Sequence, residues 1–140
     1  MRILFLISLA LASSAIAQTP AKTKAPDAVD RMSRDLKPSR ILVYKKIAGL
    51  DLQMHVFEPE GFKAGDKRAC YLIIHGGGWT GGAPPRMYPF AAHYARLGLV
   101  GISVQYRLNS AKTGVSVFDC VRDVRSAMRY LHTHANELGI

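Results

Sequence analysis

The sequence predicts an α/β fold in which an antiparallel hairpin leads into a parallel β-α-β-α unit. Two short apolar runs, 69–74 and 99–106, have the continuous hydrophobic character of strands that are buried on both faces. A helical stretch at 89–97 separates them, and a helix that joins two such strands is typical of parallel pairing. A long amphipathic stretch, 117–138, follows the second run and predicts a further helix.

The segment that precedes these runs predicts the hairpin. Residues 40–47 mix apolar and basic side chains, and Ala48-Gly49 provides a tight turn. From Leu50 to Val56, apolar and polar residues alternate, which is the period of a strand with one buried face. Because only a short turn separates the two segments, we expect them to pair antiparallel.

The last helix has clear start and stop signals. Ser116 followed by Asp119 resembles a capping box, with Asp in place of the usual Glu, and Gly139 is a natural C-terminal stop. Apolar residues recur every three or four positions and predict one buried face, formed by Phe118, Val121, Val124, Met128, Leu131, Ala135 and Leu138.

The N-terminus has the layout of a secretory signal peptide, which we assign to residues 1–17. Arg2 gives a positive start, an apolar stretch follows, and the segment ends in the small-residue pattern Ala15-Ile16-Ala17. The apolar stretch is shorter than the roughly 20 residues that span a bilayer. We therefore expect cleavage after Ala17, export to the periplasm or the extracellular space, and no stable membrane insertion. Residues 18–38 are expected to form a polar linker to a domain at 39–140.

Charge and cysteine content exclude several functions. The net charge is +9, but lysine and arginine are scattered without a long basic run, which indicates a solvated basic surface and no nucleic-acid partner. Cys70 and Cys120 are the two cysteines. A disulfide is possible in an exported protein, although two packed thiols are favoured. The absence of C-x-x-C argues against a redox pair or a zinc site.

The glycine-rich segment His75-Gly76-Gly77-Gly78-Trp79 is the strongest functional signal, and it directly follows the first apolar strand. Each glycine adds backbone entropy to the unfolded chain, so folding alone does not explain three in succession. Bare backbone N–H groups can hold the oxyanion that develops in acyl transfer. A phosphate-binding loop is excluded because neither G-x-x-x-x-G-K-[ST] nor G-x-G-x-x-G is present.

Other candidate residues favour structural roles. His75 lies on the glycine motif itself, and we expect it to hold the loop rather than to act as a catalytic base. Ser103 follows Gly101, but Gln105 replaces the second glycine of a G-x-S-x-G motif, so we interpret Ser103 as an ordinary strand residue. Three histidines are interpreted as surface residues without a metal: His93, His132 and His134. Asp119 and Asp123 are interpreted as first-turn charges that favour the helix dipole rather than as an acid pair.

Three segments read in order resemble the esterase/lipase branch of the α/β-hydrolases. They are the glycine motif, then Val104-Gln105-Tyr106-Arg107-Leu108, then the helix 118–131. The likeness covers about residues 40–140 and is greatest to feruloyl-esterase-like and hormone-sensitive-lipase-like carboxylesterases. The resemblance implies that Gly77 and Gly78 supply oxyanion-hole N–H groups. It also implies that His75, Gly76 and Trp79 border the substrate, and that neither a metal nor an organic cofactor is needed.

The resemblance also implies what the chain lacks. In that family the long helix is followed by a linker, a strand and G-x-S-x-G, with the acid and the histidine further on. We therefore expect an N-terminal fragment, truncated before the nucleophile elbow and inactive alone, of an exported hydrolase that acts on small-molecule carboxylic esters. An inactive ligand-binding module and a peptidase on the same fold are the alternatives. An unpaired edge on strand 69–74 would favour self-association.

Overall fold

A computed structural model describes residues 27–63 and 65–140. The predicted signal peptide and the first part of the predicted linker lie outside the described residues. The described part of that linker contains a short helix, α1 (Ala28–Ser33). The Asp27 side chain caps α1 by accepting a hydrogen bond of 2.9 Å from the backbone N–H of Asp30.

The elements of the domain follow the predicted order, except that the single helix predicted over 117–138 is interrupted at His134, whose backbone is not helical. They are β1 (Arg40–Ile47), β2 (Leu50–Phe57), β3 (Cys70–Ile74), a 3₁₀ turn (Pro84–Met87), α2 (Tyr88–Arg96), β4 (Val100–Val104), α3 (Val117–Thr133) and a final helical turn, α4 (Ala135–Leu138). The capping box at Ser116 and Asp119 and the left-handed stop at Gly139 are both confirmed.

The described strands form one sheet in the order β1-β2-β4-β3. The predicted hairpin is confirmed, because β1 pairs antiparallel with β2, with a bulge between Val43 and Lys45. The predicted parallel unit is confirmed as well, because β3 and β4 pair in parallel from Cys70 with Val100 to Ile74 with Val104. Because β3 and β4 are parallel, their C-terminal ends, and the loops that follow them, lie side by side at the carboxyl end of the sheet.

The two long helices cover opposite faces of the sheet. On one face, Met54 and Val104 pack against Ala127 and Leu131 of α3. On the other face, residues of β2 and β3 pack against an alanine-rich side of α2. That helix approaches β4 so closely that a Cβ atom at Gly101 would lie 2.2 Å from the carbonyl oxygen of Ala91. Small residues therefore set the distance between α2 and the sheet.

The prediction that strand 69–74 is buried on both faces was wrong. In β3 only Ile73 is buried, and the side chains of Tyr71 and Ile74 are 44% and 45% exposed. The reason is the position of β3 at the edge of the described sheet, where it has a neighbour on one side only. Strand β4, which lies between β2 and β3, is buried throughout as expected.

The predicted apolar face of the last helix was also partly wrong. Phe118 is 76% exposed and Met128 is 58% exposed, although both were expected to face the core. The buried side of α3 is instead formed by Cys120, Asp123, Val124, Ala127 and Leu131. Small side chains at 120 and 127 let the helix approach the sheet, which turns the neighbouring stripe of larger apolar residues towards solvent.

Membrane insertion through a described helix finds no support. None of the helices in residues 27–63 and 65–140 combines the length and the apolar content that a transmembrane span requires.

Candidate functional site

The glycine loop begins where β3 ends, at the carboxyl edge of the two parallel strands. In open α/β sheets this edge is where ligands bind, because the loops after the strands form a crevice there. His75 is buried directly below the loop, whereas Gly76 to Thr80 are exposed. The glycines therefore form the outer tip of a loop whose base is part of the protein interior.

The backbone of the loop requires glycine at position 77. Gly77 has a φ of 130°, and a Cβ atom there would lie 2.2 Å from the carbonyl oxygen of Gly81. The loop is closed at this point, because the carbonyl oxygen of Gly77 accepts hydrogen bonds from the N–H groups of Thr80 and Gly81, at 3.2 and 3.1 Å. A side chain at 77 would break this closure.

The N–H groups at the tip are available to a ligand. Within the described residues, those of Gly77 and Gly78 donate to no protein acceptor, and neither do those of Gly76 and Trp79. They border a cavity of about 100 Å³ that is lined by Ile74, His75, Gly76, Gly77, Gly78, Trp79 and Tyr106. Adjacent donors held by a closed loop can stabilise negative charge on an oxygen without reorganising.

His75 forms the base of the loop. Its side chain packs in parallel on the ring of Tyr106, with ring centroids 4.3 Å apart, and its backbone carbonyl accepts a 2.8 Å hydrogen bond from the Tyr106 hydroxyl. The returning chain also packs on it, since a Cβ atom at Gly82 would lie 2.4 Å from Nδ1 of His75. This buried position suits a residue that holds the loop and leaves little room for a role as an exposed base.

Trp79 lies at the opposite end of the glycine triplet. Its φ of 67° is unusual for a residue with a side chain, and its carbonyl oxygen accepts a 2.8 Å hydrogen bond from the N–H of Asn109. The indole packs edge-on against Tyr106 with ring centroids 6.0 Å apart, and it remains 39% exposed. Trp79 is thus placed at the open side of the small cavity.

A buried ion network lies beside this site, and it was not predicted from the sequence. Asp123 was interpreted as a first-turn charge that favours the helix dipole, but its side chain is 0% exposed and paired with cations from outside the helix. It accepts hydrogen bonds from Arg107 Nε at 2.7 Å and from Lys45 Nζ at 2.6 Å. Burial raises the pKa of Asp123, but the hydrogen bonds from Arg107 and Lys45 outweigh it and leave the pKa below its ordinary value.

A sequence signal for this network did exist. Asp123 lies three residues after Cys120 and four before Ala127, so it shares the helix side that carries the small residues. A carboxylate on the side that approaches the sheet needs a cationic partner, because an unpaired buried charge is strongly unfavourable. The sequence did not identify this partner, because Arg122 and Arg125 are nearer to Asp123 along the chain than the two residues that pair with it, Arg107 and Lys45.

The other candidates have no part in this site. Ser103 is a buried residue of β4 and its hydroxyl donates a 2.9 Å hydrogen bond to the carbonyl of Pro84, which confirms it as an ordinary strand serine. Cys70 and Cys120 are free thiols, and burial raises the pKa of both. In the described part of the chain, no group of three or more histidine, cysteine or carboxylate side chains is arranged to hold a metal ion.

Comparisons with known proteins show similarity to esterases. The BD-FAE family model matches residues 54–140, which is more than half of the chain. An esterase from the Planctomycetes species Thermogutta terrifontis, solved with propionate bound, is 37% identical with a TM-score of 0.69, and the match covers 72% of this chain and 37% of that one. No curated protein sequence matches the chain.

Two further structures of the same Thermogutta terrifontis esterase agree with the first. The butyrate-bound form is 37% identical with a TM-score of 0.69, over 72% of this chain and 36% of that one. The form phosphorylated by paraoxon has the same identity and TM-score, over 72% of this chain and 38% of that one. The chain therefore spans little more than a third of the length of these esterases.

Proposed function

Since the chain belongs to the BD-FAE family of esterase-like α/β-hydrolases, we propose that it forms the oxyanion-binding part of a hydrolase that cleaves carboxylic ester bonds in small molecules. The observation that carries this proposal is the pair of unused N–H groups at Gly77 and Gly78, on a closed loop at the carboxyl edge of the parallel strands. These donors would bind the carbonyl oxygen of the ester as it becomes negatively charged.

The rest of the reaction follows from ester chemistry. A serine attacks the ester carbonyl, the alcohol leaves, and water hydrolyses the acyl-enzyme. The 140 residues contain no G-x-S-x-G sequence. We therefore propose that the nucleophile, the acid and the base are not among these residues. Ser103 is unsuited to the role because it is buried within β4 and already donates to a backbone carbonyl.

The similar structures suggest the kind of substrate. The Thermogutta terrifontis esterase is described with propionate bound, with butyrate bound and phosphorylated by paraoxon. By extension, we propose that the protein carrying this chain acts on esters of short carboxylic acids and is modified by the same class of organophosphate. Trp79 lines the small cavity and would contact such a substrate.

Export is part of the proposal. The pattern of residues 1–17 is the support for it, and N-terminal sequencing of protein recovered outside the cytoplasm tests it. The expected N-terminal residue is Gln18. Recovery of the protein only inside the cell, with Met1 retained, would contradict the proposal.

The test of the enzymatic proposal compares two proteins. One is the natural gene product that carries these residues, and the other is the 140-residue chain alone. Each is assayed for hydrolysis of p-nitrophenyl acetate and for covalent labelling by paraoxon. We expect the gene product to turn over substrate and to take up one organophosphate per active site, and we expect the 140-residue chain to do neither.

The esterase activity and the absence of the nucleophile from the 140 residues are tested independently. A folded gene product that neither hydrolyses the ester nor reacts with paraoxon would contradict the esterase and favour a ligand-binding module. Labelling of the 140-residue chain itself would instead show that the nucleophile is among these residues. Mapping the labelled serine by mass spectrometry would then identify it.

A further inference from the structure

The segment that follows β4, residues 106–109, contacts the glycine loop at both of its ends. Tyr106 packs under His75, which precedes the three glycines, and the N–H of Asn109 binds the carbonyl of Trp79, which follows them. The three glycines therefore lie between two residues, His75 and Trp79, that are both held by this segment. We call residues 106–109 the support segment.

Tyr106 makes three separate contacts with the loop. Its hydroxyl donates a 2.8 Å hydrogen bond to the carbonyl oxygen of His75, its ring stacks on the His75 side chain, and its ring edge meets the indole of Trp79. The side chain is buried, and burial raises the pKa of its phenol, so the hydroxyl stays a donor at neutral pH. No other described side chain touches both His75 and Trp79 through ring contacts.

The support segment is itself held in place by α3. The carboxylate of Asp123 accepts from the backbone N–H of Arg107 at 3.2 Å and from two nitrogens of its guanidinium, Nε at 2.7 Å and Nη2 at 3.1 Å. The fork geometry of arginine fixes direction as well as distance. Because the backbone of Arg107 takes part, the contact restrains the main chain next to Tyr106.

We infer that Tyr106 is a positioning residue for the oxyanion-binding loop, and that Asp123 acts through Arg107 to fix the segment that carries Tyr106. This inference rests on the proposed function for its effect on catalysis. Tyr106 also lines the small cavity, but in this role it acts through the loop rather than on the reacting atoms. It fixes the position and direction of the N–H groups of Gly77 and Gly78. Moving a catalytic group by about 1 Å can lower the reaction rate roughly a hundredfold.

The first test is Tyr106→Phe in the natural gene product. This change removes the hydroxyl and keeps both ring contacts, so the fold is retained while the anchor of the His75 carbonyl is lost. We expect kcat for p-nitrophenyl acetate to fall about tenfold to a hundredfold with KM nearly unchanged, because only transition-state stabilisation is affected. Arg107→Lys is expected to lower kcat in the same way, because lysine cannot reproduce the forked contact.

The matched control is Tyr88→Phe. Tyr88 is equally buried and its hydroxyl also contacts a polar partner, Nδ1 of His55, but it lies on α2 and has no ring contact with the loop. We expect Tyr88→Phe to keep the kcat of the parent protein. An equal fall in kcat for Tyr88→Phe, or an unchanged kcat for Tyr106→Phe or Arg107→Lys, would overturn the inference.

A second measurement separates this inference from the proposed function. Amide ¹⁵N relaxation of Gly77 and Gly78 reports loop order without any reaction. We expect their order parameters to fall from the rigid-backbone level of about 0.85 towards 0.6 in Tyr106→Phe, and to stay unchanged in Tyr88→Phe. If the parent protein hydrolyses no ester, the proposed function fails, and the relaxation data alone decide whether Tyr106 positions the loop.

Discussion

A single methyl group at position 77 would lie 2.2 Å from the carbonyl oxygen of Gly81. Gly78 also has a positive φ, but a Cβ atom there would meet nothing within 4 Å. The two candidate oxyanion-hole residues, Gly77 and Gly78, therefore differ in how strictly their positions require glycine. At position 77 both space and backbone conformation exclude a side chain, whereas at position 78 only the conformation disfavours one.

Gly77→Ala is expected to lower kcat of the natural gene product by about 10²–10³, the usual effect of losing one oxyanion donor. The clash with Gly81 would open the loop and turn the N–H group away. Gly49→Ala is the matched control, because Gly49 also has a positive φ with open space around it but lies in the β1–β2 turn. Gly77→Ala with a normal kcat, in a protein that melts cooperatively, would exclude this loop as the oxyanion hole.

Ser103→Ala is expected to leave ester hydrolysis and paraoxon labelling intact. The hydroxyl of Ser103 donates to the carbonyl of Pro84, so its loss should reduce the free energy of unfolding by about 1–3 kcal/mol through an unsatisfied buried acceptor. Labelling stoichiometry by mass spectrometry and chemical denaturation measure the two effects. Loss of labelling in a folded Ser103→Ala protein would make Ser103 the nucleophile and contradict its structural interpretation.

At the scale of an element, α3 depends on charges at its start and on its buried side. Asp119 accepts from the Ser116 hydroxyl at 2.7 Å and from the Ser116 N–H at 3.0 Å, which completes the capping box. The hydrogen bonds from Ser116, aided by the positive charge of Arg107, hold the pKa of Asp119 at about 2. Asp119 is therefore ionised in the folded protein at every pH above that value.

This lowered pKa predicts a specific pH dependence. A carboxylate whose pKa is lower in the folded state than in the unfolded state stabilises the fold above the unfolded pKa of about 4, and that stabilisation is lost as the pH falls towards 2. We expect Asp119→Asn to be less stable than the parent chain at about pH 5 and nearly equal to it at about pH 2. Urea denaturation at both pH values measures the difference.

The matched control for this titration is Asp51→Asn. Asp51 is an exposed residue whose contact is a 3.7 Å pair with Lys46, and exposed pairs of this kind contribute little to stability. Its replacement is expected to change stability little at either pH. A loss of stability in Asp119→Asn that is the same at about pH 5 and about pH 2 would show that the ionised capping box is not its cause.

At the scale of the whole molecule, apolar side chains are exposed near the sheet edge and on one helix. Strand β3 has no partner on its outer side among the described residues and exposes Tyr71 and Ile74, and the outer stripe of α3 exposes Phe118, Val121 and Met128. An open strand edge with apolar neighbours favours association between chains. The net charge of +9, which becomes +8 once Arg2 is removed with the signal peptide, opposes it, but salt screens charges beyond about 8–10 Å.

We therefore predict that residues 18–140, expressed without the predicted signal peptide, self-associate at physiological salt. Ile74→Lys is expected to reduce the association, because a charge beside the edge disfavours strand addition. Leu97→Lys is the matched control, since Leu97 is an exposed apolar residue that lies at the end of α2 and away from the edge. Sedimentation velocity over a range of concentrations measures the effect. A concentration-independent monomer of the unchanged chain would contradict this prediction.

The sequence by itself determined the local features of this protein. The hairpin, the parallel pairing of β3 and β4, the capping box at Ser116 and the left-handed stop at Gly139 all agree with the structure. The turn, the capping box and the stop depend on turn chemistry and capping, which act over a few neighbouring residues, and the parallel pairing was inferred from the order strand, helix, strand along the chain. The glycine motif that marks the candidate site belongs to the same class of signal, because a run of glycines is itself a local pattern.

Only the tertiary structure decided which side of α3 is buried, that β3 lies at an edge, and what supports the glycine loop. Tyr106 and His75 are 31 residues apart in sequence, and Lys45 and Asp123 are 78 apart. No local pattern records such pairings, because they exist only once the sheet order brings the ends of the strands together. The helix period could indicate that Asp123 lies on the buried side of α3, but it could not indicate which cations pair with the carboxylate, since these come from β1 and from the segment after β4.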